Sequence, residues 1–184
     1  MFAVVQNGNI VQLIQPDVAF TIGEKQYSAR FIRNATEAER KSVGVYEVIQ
    51  GTQQDQRFYW VTGPSYRVNE TNQTVEATYT ATPKALEDKL ETKEDGTPLL
   101  DLKGNQVVTK GLKSQFIAQV KAQAGSLLNA TDWKVVRAAE GGKALDDATK
   151  AERVAIRTKS DDFETQIKAC TTVEQLAALQ FNWE

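Results

Sequence analysis

The sequence predicts an α+β protein: an antiparallel β-rich N-terminal domain followed by a small C-terminal helical bundle. Three observations carry that prediction. Asn7-Gly8 lies between the apolar runs Phe2–Gln6 and Ile10–Ile14, and both residues accept the positive φ that a tight hairpin needs. Thr74 to Thr80 alternates, with Val75, Ala77 and Tyr79 on one side and Thr74, Glu76, Thr78 and Thr80 on the other. Leu112, Phe116, Ile117, Val120, Ala124, Leu127 and Leu128 then follow the spacing of one face of a 3.6-residue helix.

The first hairpin is closed by Pro16-Asp17. Ala19 to Ile22, a Gly23-Glu24 turn and Gln26 to Ile32 predict a second hairpin. Thr36 followed by Glu39 is a capping-box pattern, so one or two helical turns are expected up to Gly44. Val45 to Ile49 returns to strand. Arg57 to Val61 is an aromatic strand expected to break at Gly63-Pro64, and Tyr66 to Val68 precedes the strand beginning at Thr74.

Pro83 marks a boundary. Leu86 and Leu90, four apart in a charged stretch, predict a short connecting helix over Lys84 to Thr92. Asp95-Gly96-Thr97-Pro98 and Lys103-Gly104-Asn105 are turns, and Val107-Val108 is one more short strand. The expected organisation is a β-rich domain over 1–83, a connector with a small hairpin over 84–111, and a helical domain over 112–184.

Within the helical domain, Thr131 is expected to cap a new segment and Asp132 to sit in its first turn. Gly141-Gly142 supplies a C-terminal stop. Asp146 or Asp147 caps a long helix whose Ala148, Ala151, Ala155, Phe163, Ile167 and Cys170 are expected to share a face. With no Gly or Pro between 147 and 170, that helix is about 35 Å long. A second capping box at Thr171 to Gln175 starts a final short helix, and Phe181 and Trp183 are expected to dock on the bundle.

Composition narrows the function classes. The chain has 184 residues, a net charge of −2, no histidine and one cysteine. Without histidine there is no Ser-His-Asp or Cys-His relay and no His-containing metal site. A lone cysteine forms no intrachain disulfide. The near-neutral charge gives no bulk attraction to nucleic acid or to anionic membranes, and no apolar run is long enough to span a bilayer. The N-terminus lacks a basic segment and a cleavage site, so no secretory signal is expected.

Each remaining candidate has a plainer reading. Asn34, Asn69, Asn72 and Asn129 open Asn-x-Thr triplets, but all stand in turns or ahead of helices, where Asn and Thr are favoured locally. Asp95, Asp101 and Asn105 lack the ligand spacing and terminal Glu of a calcium loop. Asp146-Asp147 fits a helix start, and Asp161-Asp162 points two ways around a helix. Phe58-Tyr59-Trp60 is expected to pack in the core rather than stack on bases. Cys170 is expected to be buried or at an interface. No catalytic, cofactor or metal residues are assigned, and the chain is read as a non-enzyme.

One stretch is distinctive. Leu127-Leu128-x-x-Thr131-Asp132-Trp133, at the end of an amphipathic helix, resembles the C-terminal region of tail fibre assembly and tail assembly chaperone-like proteins of tailed bacteriophages. In that family Leu-Leu-x-x-Ser/Thr-Asp-Trp precedes a helix with a Tyr-Arg-x-x-hydrophobic-Arg run. The counterpart here is Glu152-Arg153-Val154-Ala155-Ile156-Arg157, with Glu in the place of Tyr, and the usual Pro near Leu145 is absent. The similarity covers Leu112 to the C-terminus.

The resemblance implies a tail protein that binds tail fibre or baseplate proteins of the same phage, in the virion tail or in the host cytoplasm during assembly. Its job is either an assembly chaperone or a permanent structural part joining fibres to the particle. Self-association is a further option, and neither nucleic acid nor membrane is an expected partner. Leu127, Leu128, Thr131, Asp132, Trp133, Arg153 and Arg157 are the candidate structural or interaction residues. Thr131-Asp132-Trp133 is expected to form a helix cap with an aromatic wedge buried between helices.

Overall fold

A computed structural model describes residues 1–183, and it is α+β. The chain divides into two compact units, between Thr82 and Pro83.

The first unit is built on a five-stranded sheet of β1 (Phe2–Gln6), β2 (Asn9–Ile14), β5 (Val45–Gln50), β6 (Tyr59–Asn69) and β7 (Thr74–Pro83), ordered β2-β1-β5-β7-β6. Asn7 (φ 52°) and Gly8 (φ 75°) make the first turn, as their residue types predict. A second hairpin, β3 (Phe20–Ile22) with β4 (Lys25–Tyr27), leads into α1 (Phe31–Asn34) and α2 (Glu37–Ser42). The Thr36–Glu39 capping box is complete: each residue's side chain accepts from the other's backbone N–H.

Three expectations for this unit are corrected. The sheet is mixed, because β5 pairs in parallel with β7. The loop after β5 carries the chain to the outer edge, so β6 is terminal and β7 fills the place beside β5. β6 also runs unbroken through Gly63-Pro64, whose peptide bond is cis, since a proline on a terminal strand forfeits no ladder bond. Phe31 and Ile32 are helical rather than strand: Phe31 packs edge-on to Tyr27 (centroids 4.8 Å apart), and Ile32 is buried beside them. Tertiary contacts override the local β pattern here.

Each face of the sheet carries an apolar cluster. One packs Val4, Ile14 and Val45 against Phe20, Tyr27 and Ile32 of the β3–α1 region. The other gathers Ala3, Val5, Val48, Val75 and Ala77. Phe58 is buried as expected, but Trp60 faces outward.

The second unit begins with a small β arm. Lys84 to Thr92 forms no helix; β8 (Lys89–Leu90) pairs instead with β9 (Val108–Thr109). Charged Lys84, Glu87, Asp88 and Lys89 leave too little apolar surface for a helix to bury. Three backbone bonds join Glu91, Leu99 and Val107 into a ring: Leu99 N–H to Glu91 O (3.0 Å), Val107 N–H to Leu99 O (2.8 Å) and Glu91 N–H to Val107 O (2.9 Å). Gly96 (φ 82°) and Gly104 (φ 85°) supply the left-handed residue of each turn.

The arm is pinned to the start of α3 (Leu112–Ala139). Asp88 accepts from Gly111 N–H at 2.9 Å and pairs with Lys110 Nζ at 2.7 Å. Leu112 and Lys113 N–H donate to the carbonyls of Ala85 and Leu86, satisfying donors left free at a helix N-terminus. A Cβ on Gly111 would collide with the Glu87 carbonyl, so the close approach itself requires glycine.

α3 is one 28-residue helix and overturns the expected break at Thr131. No Gly or Pro interrupts it after Gly125, and the side chains that would cap a new segment are engaged elsewhere. Thr131 Oγ1 donates to Leu128 O within the same helix, and Asp132 faces Arg153. The stop comes at Gly141 (φ 83°), where Gly142 N–H reaches Arg137 O and Gly141 N–H reaches Ala138 O, a Schellman arrangement. Asp146 caps α4 (Asp147–Ala169) through Thr149 N–H at 2.8 Å. Thr172 and Gln175 complete the capping box of α5 (Val173–Ala178).

Candidate functional site

α3 and α4 form an antiparallel hairpin. Lys134 meets Thr149, Asp132 meets Arg153 and Lys121 meets Glu164, so residues descend along one helix as they ascend the other. The inward residues of α4 are Thr149, Arg153, Ile156, Ser160, Phe163, Ile167 and Cys170, at alternating steps of four and three, the spacing of a two-helix seam. The expected face was wrong in its upper half. Ala148, Ala151 and Ala155 point outward, because the alternation runs through Thr149 and Arg153 instead.

Arg153 is the centre of the upper seam. Only 7% exposed, it donates to Leu128 O (2.8 Å), Thr131 Oγ1 (2.6 Å) and Asp132 Oδ1 (2.7 Å). A buried guanidinium is costly unless its donors find acceptors, and here three acceptors on one helical turn take it. Leu128, Thr131, Asp132 and Arg153 thus form one clasp across the hairpin. Above it, Lys134 donates to Thr149 Oγ1 and lies 3.7 Å from Asp146. Thr149 N–H, then the Thr149 hydroxyl, hold the Asp146 carboxyl below the usual aspartate range.

The other candidates are not brought into the clasp. Trp133 is no wedge: it is 58% exposed, on the outward side of α3, with the Arg137 guanidinium 4.9 Å from its ring centroid. The reason is phase, since Trp133 lies two residues, about 200°, from the inward Thr131. Leu127 is also exposed and lines a recess of about 280 Å³ with Ile156 and Trp183. Arg157 stands one turn below Arg153 and makes no ion pair among the described residues.

Beside the clasp runs a groove of about 390 Å³, lined by Val135, Leu145 and Val154 together with Lys150, Arg153 and Arg157. A second recess of about 370 Å³ continues it towards the hairpin base, and Arg157 lines both. Val135 and Val154 are exposed aliphatic residues on α3 and α4. The sequence offered one cue to them, valines standing in charged stretches, but no periodicity tied α3 to α4.

The base of the hairpin is closed differently. Phe163 meets Phe181 (5.3 Å) and Trp183 (5.1 Å) edge-on, and Trp183 Nε1 donates to Gln123 Oε1 at 3.0 Å, so the tail docks as expected. Cys170 is buried there.

Among the described residues no group of three His, Cys, Asp or Glu side chains is placed to hold a metal ion, and no helix is long and apolar enough to cross a membrane. The arrangement combines an aliphatic floor, a cationic rim and a polar clasp behind them. Compared with family models, with curated proteins and with solved structures, the chain matches none.

Proposed function

We propose that this chain is a non-enzymatic bacteriophage tail protein that binds a tail fibre or baseplate component, acting as a tail fibre assembly chaperone. The observation that carries the reading is the clasp. Leu128, Thr131, Asp132 and Arg153, four residues of the phage-like Leu-Leu-x-x-Thr-Asp-Trp and Glu-Arg-x-x-x-Arg runs, bond to one another and fix the two helices beside an open groove. An exposed apolar face held on a rigid support is what a protein that shields another's sticky surface needs.

The test is co-expression of the phage's fibre protein with and without this chain, with mass spectrometry of purified particles. The chaperone reading expects soluble fibre trimers only in the presence of the chain, and no chain in the particle. Stoichiometric presence in particles would make it a permanent virion part. Fibre that folds equally well alone, with the chain absent from particles, would overturn both roles.

A further inference from the structure

We propose that the groove beside the clasp receives an acidic amphipathic segment of a partner protein, with aliphatic side chains laid on Val135, Leu145 and Val154 and a carboxylate on Arg157. This inference rests on the binding role given above and deepens it by naming the chemistry of the occupant.

Charge decides the occupant. Three of the groove's lining side chains are aliphatic and three are cationic, and no acid lines it. Two of the cations are engaged within the chain: Arg153 by Asp132 at 2.7 Å and Lys150 by Asp147 at 2.9 Å. Arg157 makes no ion pair among the described residues; of the two acids in the recess it shares, Glu164 is engaged by Lys121 and Lys168, and Asp161 is not paired with Arg157. An unpaired guanidinium at the edge of an apolar floor is a specific receptor for a carboxylate, because its forked donors match the two oxygens and the floor excludes competing water.

The shape agrees with this. Val135 and Val154 are branched, stiff side chains on two helices locked together by Arg153, so the floor is preformed and little order is lost on binding. A basic polypeptide would bring like charge to Arg157, the one cation of the lining without an ion pair. A nucleic-acid strand would gain the phosphate contact but leave the aliphatic floor without a partner, as the lining offers no aromatic ring on which a base could stack.

The experiment uses the full chain and a capped, amidated model peptide with leucines one helical turn apart flanked by glutamates. The controls are the same peptide with glutamine for glutamate and a single-stranded oligonucleotide. Binding is followed by methyl NMR of the valines and leucines and by anisotropy of the labelled peptide. The glutamate peptide is expected to shift Val135 and Val154 and to bind roughly tenfold or more tightly than the glutamine peptide.

Arg157→Gln is expected to erase that difference without moving the urea midpoint, since the side chain holds nothing in the fold. Arg157→Glu is expected to reverse the preference towards a lysine version of the peptide. Equal affinity for both peptides, no binding of either, shifts confined to Leu127, or tighter binding of the oligonucleotide would each overturn the proposal. Fibre folding that needs the chain but is indifferent to Arg157→Glu would remove the groove and leave the chaperone role standing. Fibre folding that never needs the chain would remove the role and leave the peptide result untouched.

Discussion

The two ends of the α3–α4 hairpin are held together by different physics. At the base, Val120, Phe163 and Ile167 are buried, and the C-terminal tail lays Phe181 and Trp183 over Phe163. At the tip, the buried residues of α4 are Thr149 and Arg153, bonded to Lys134 and to the Leu128–Asp132 turn of α3. Apolar burial is non-directional and grows with area. Hydrogen bonds to a guanidinium are directional and fix one register. The base supplies the stability of the unit, and the tip spends apolar surface outward while keeping its geometry through polar contacts.

Breaking the base should cost most. Ile167 is 0% exposed, and Ile167→Ala is expected to lower the unfolding free energy of the second unit by about 2–5 kcal/mol. Urea unfolding followed by Trp183 fluorescence measures it. A cost at or below that of a tip substitution would erase the contrast. Arg153→Ala comes next, at about 2 kcal/mol, since it leaves the Asp132 carboxylate and the Thr131 hydroxyl without their shared donor. Its signature is local: amide exchange should quicken around Leu128–Asp132 and Thr149–Val154, and stay slow around Phe163–Ile167.

Acid sharpens the contrast from the side of the arm. Asp88 is held at about 2, below its ordinary 3.8, first by the Lys110 ammonium, then by the Ser114 hydroxyl and the Gly111 N–H. A depressed carboxyl stabilises the fold above its unfolded value, and that contribution is lost as pH falls from about 4 through about 2. Loosening of the arm from α3 should therefore fall in that window, and Asp88→Asn should make the arm's stability flat across it. The smallest effect is expected of Trp133→Ala, within about 0.5 kcal/mol, because the ring is 58% exposed. A large loss of melting temperature would restore Trp133 as a buried wedge.

Local chemistry was legible wherever a side chain acts on its own backbone. The Asn7-Gly8 turn, the capping boxes at Thr36 and Thr172 and the Gly141 stop were readable from residue type and spacing, and the α4 cap was narrowed to Asp146 or Asp147, of which Asp146 serves. What was not legible depends on partners distant in sequence. Thr131 and Asp132 have the residue types of a helix start, and only Arg153, more than twenty positions away, converts them into mid-helix acceptors. The parallel β5–β7 pair likewise needs β6 to be carried outward, which no alternation pattern encodes. At the site, Arg153 and Arg157 were singled out together. The structure separates them into a buried clasp and an exposed groove residue, and it adds Val135, Leu145 and Val154, which no motif had marked.

The most direct test of the division between a stabilising base and the proposed binding tip is hydrogen exchange of the chain, free and mixed with the fibre protein proposed as its partner. In the free chain, amides of 128–136 and 147–157 should exchange faster than those of 116–124 and 160–170. On binding, protection should rise at Val135, Leu145 and Val154 and remain unchanged at Val120 and Ile167. Protection that appears only on the β sheet or at the hairpin base would contradict this division.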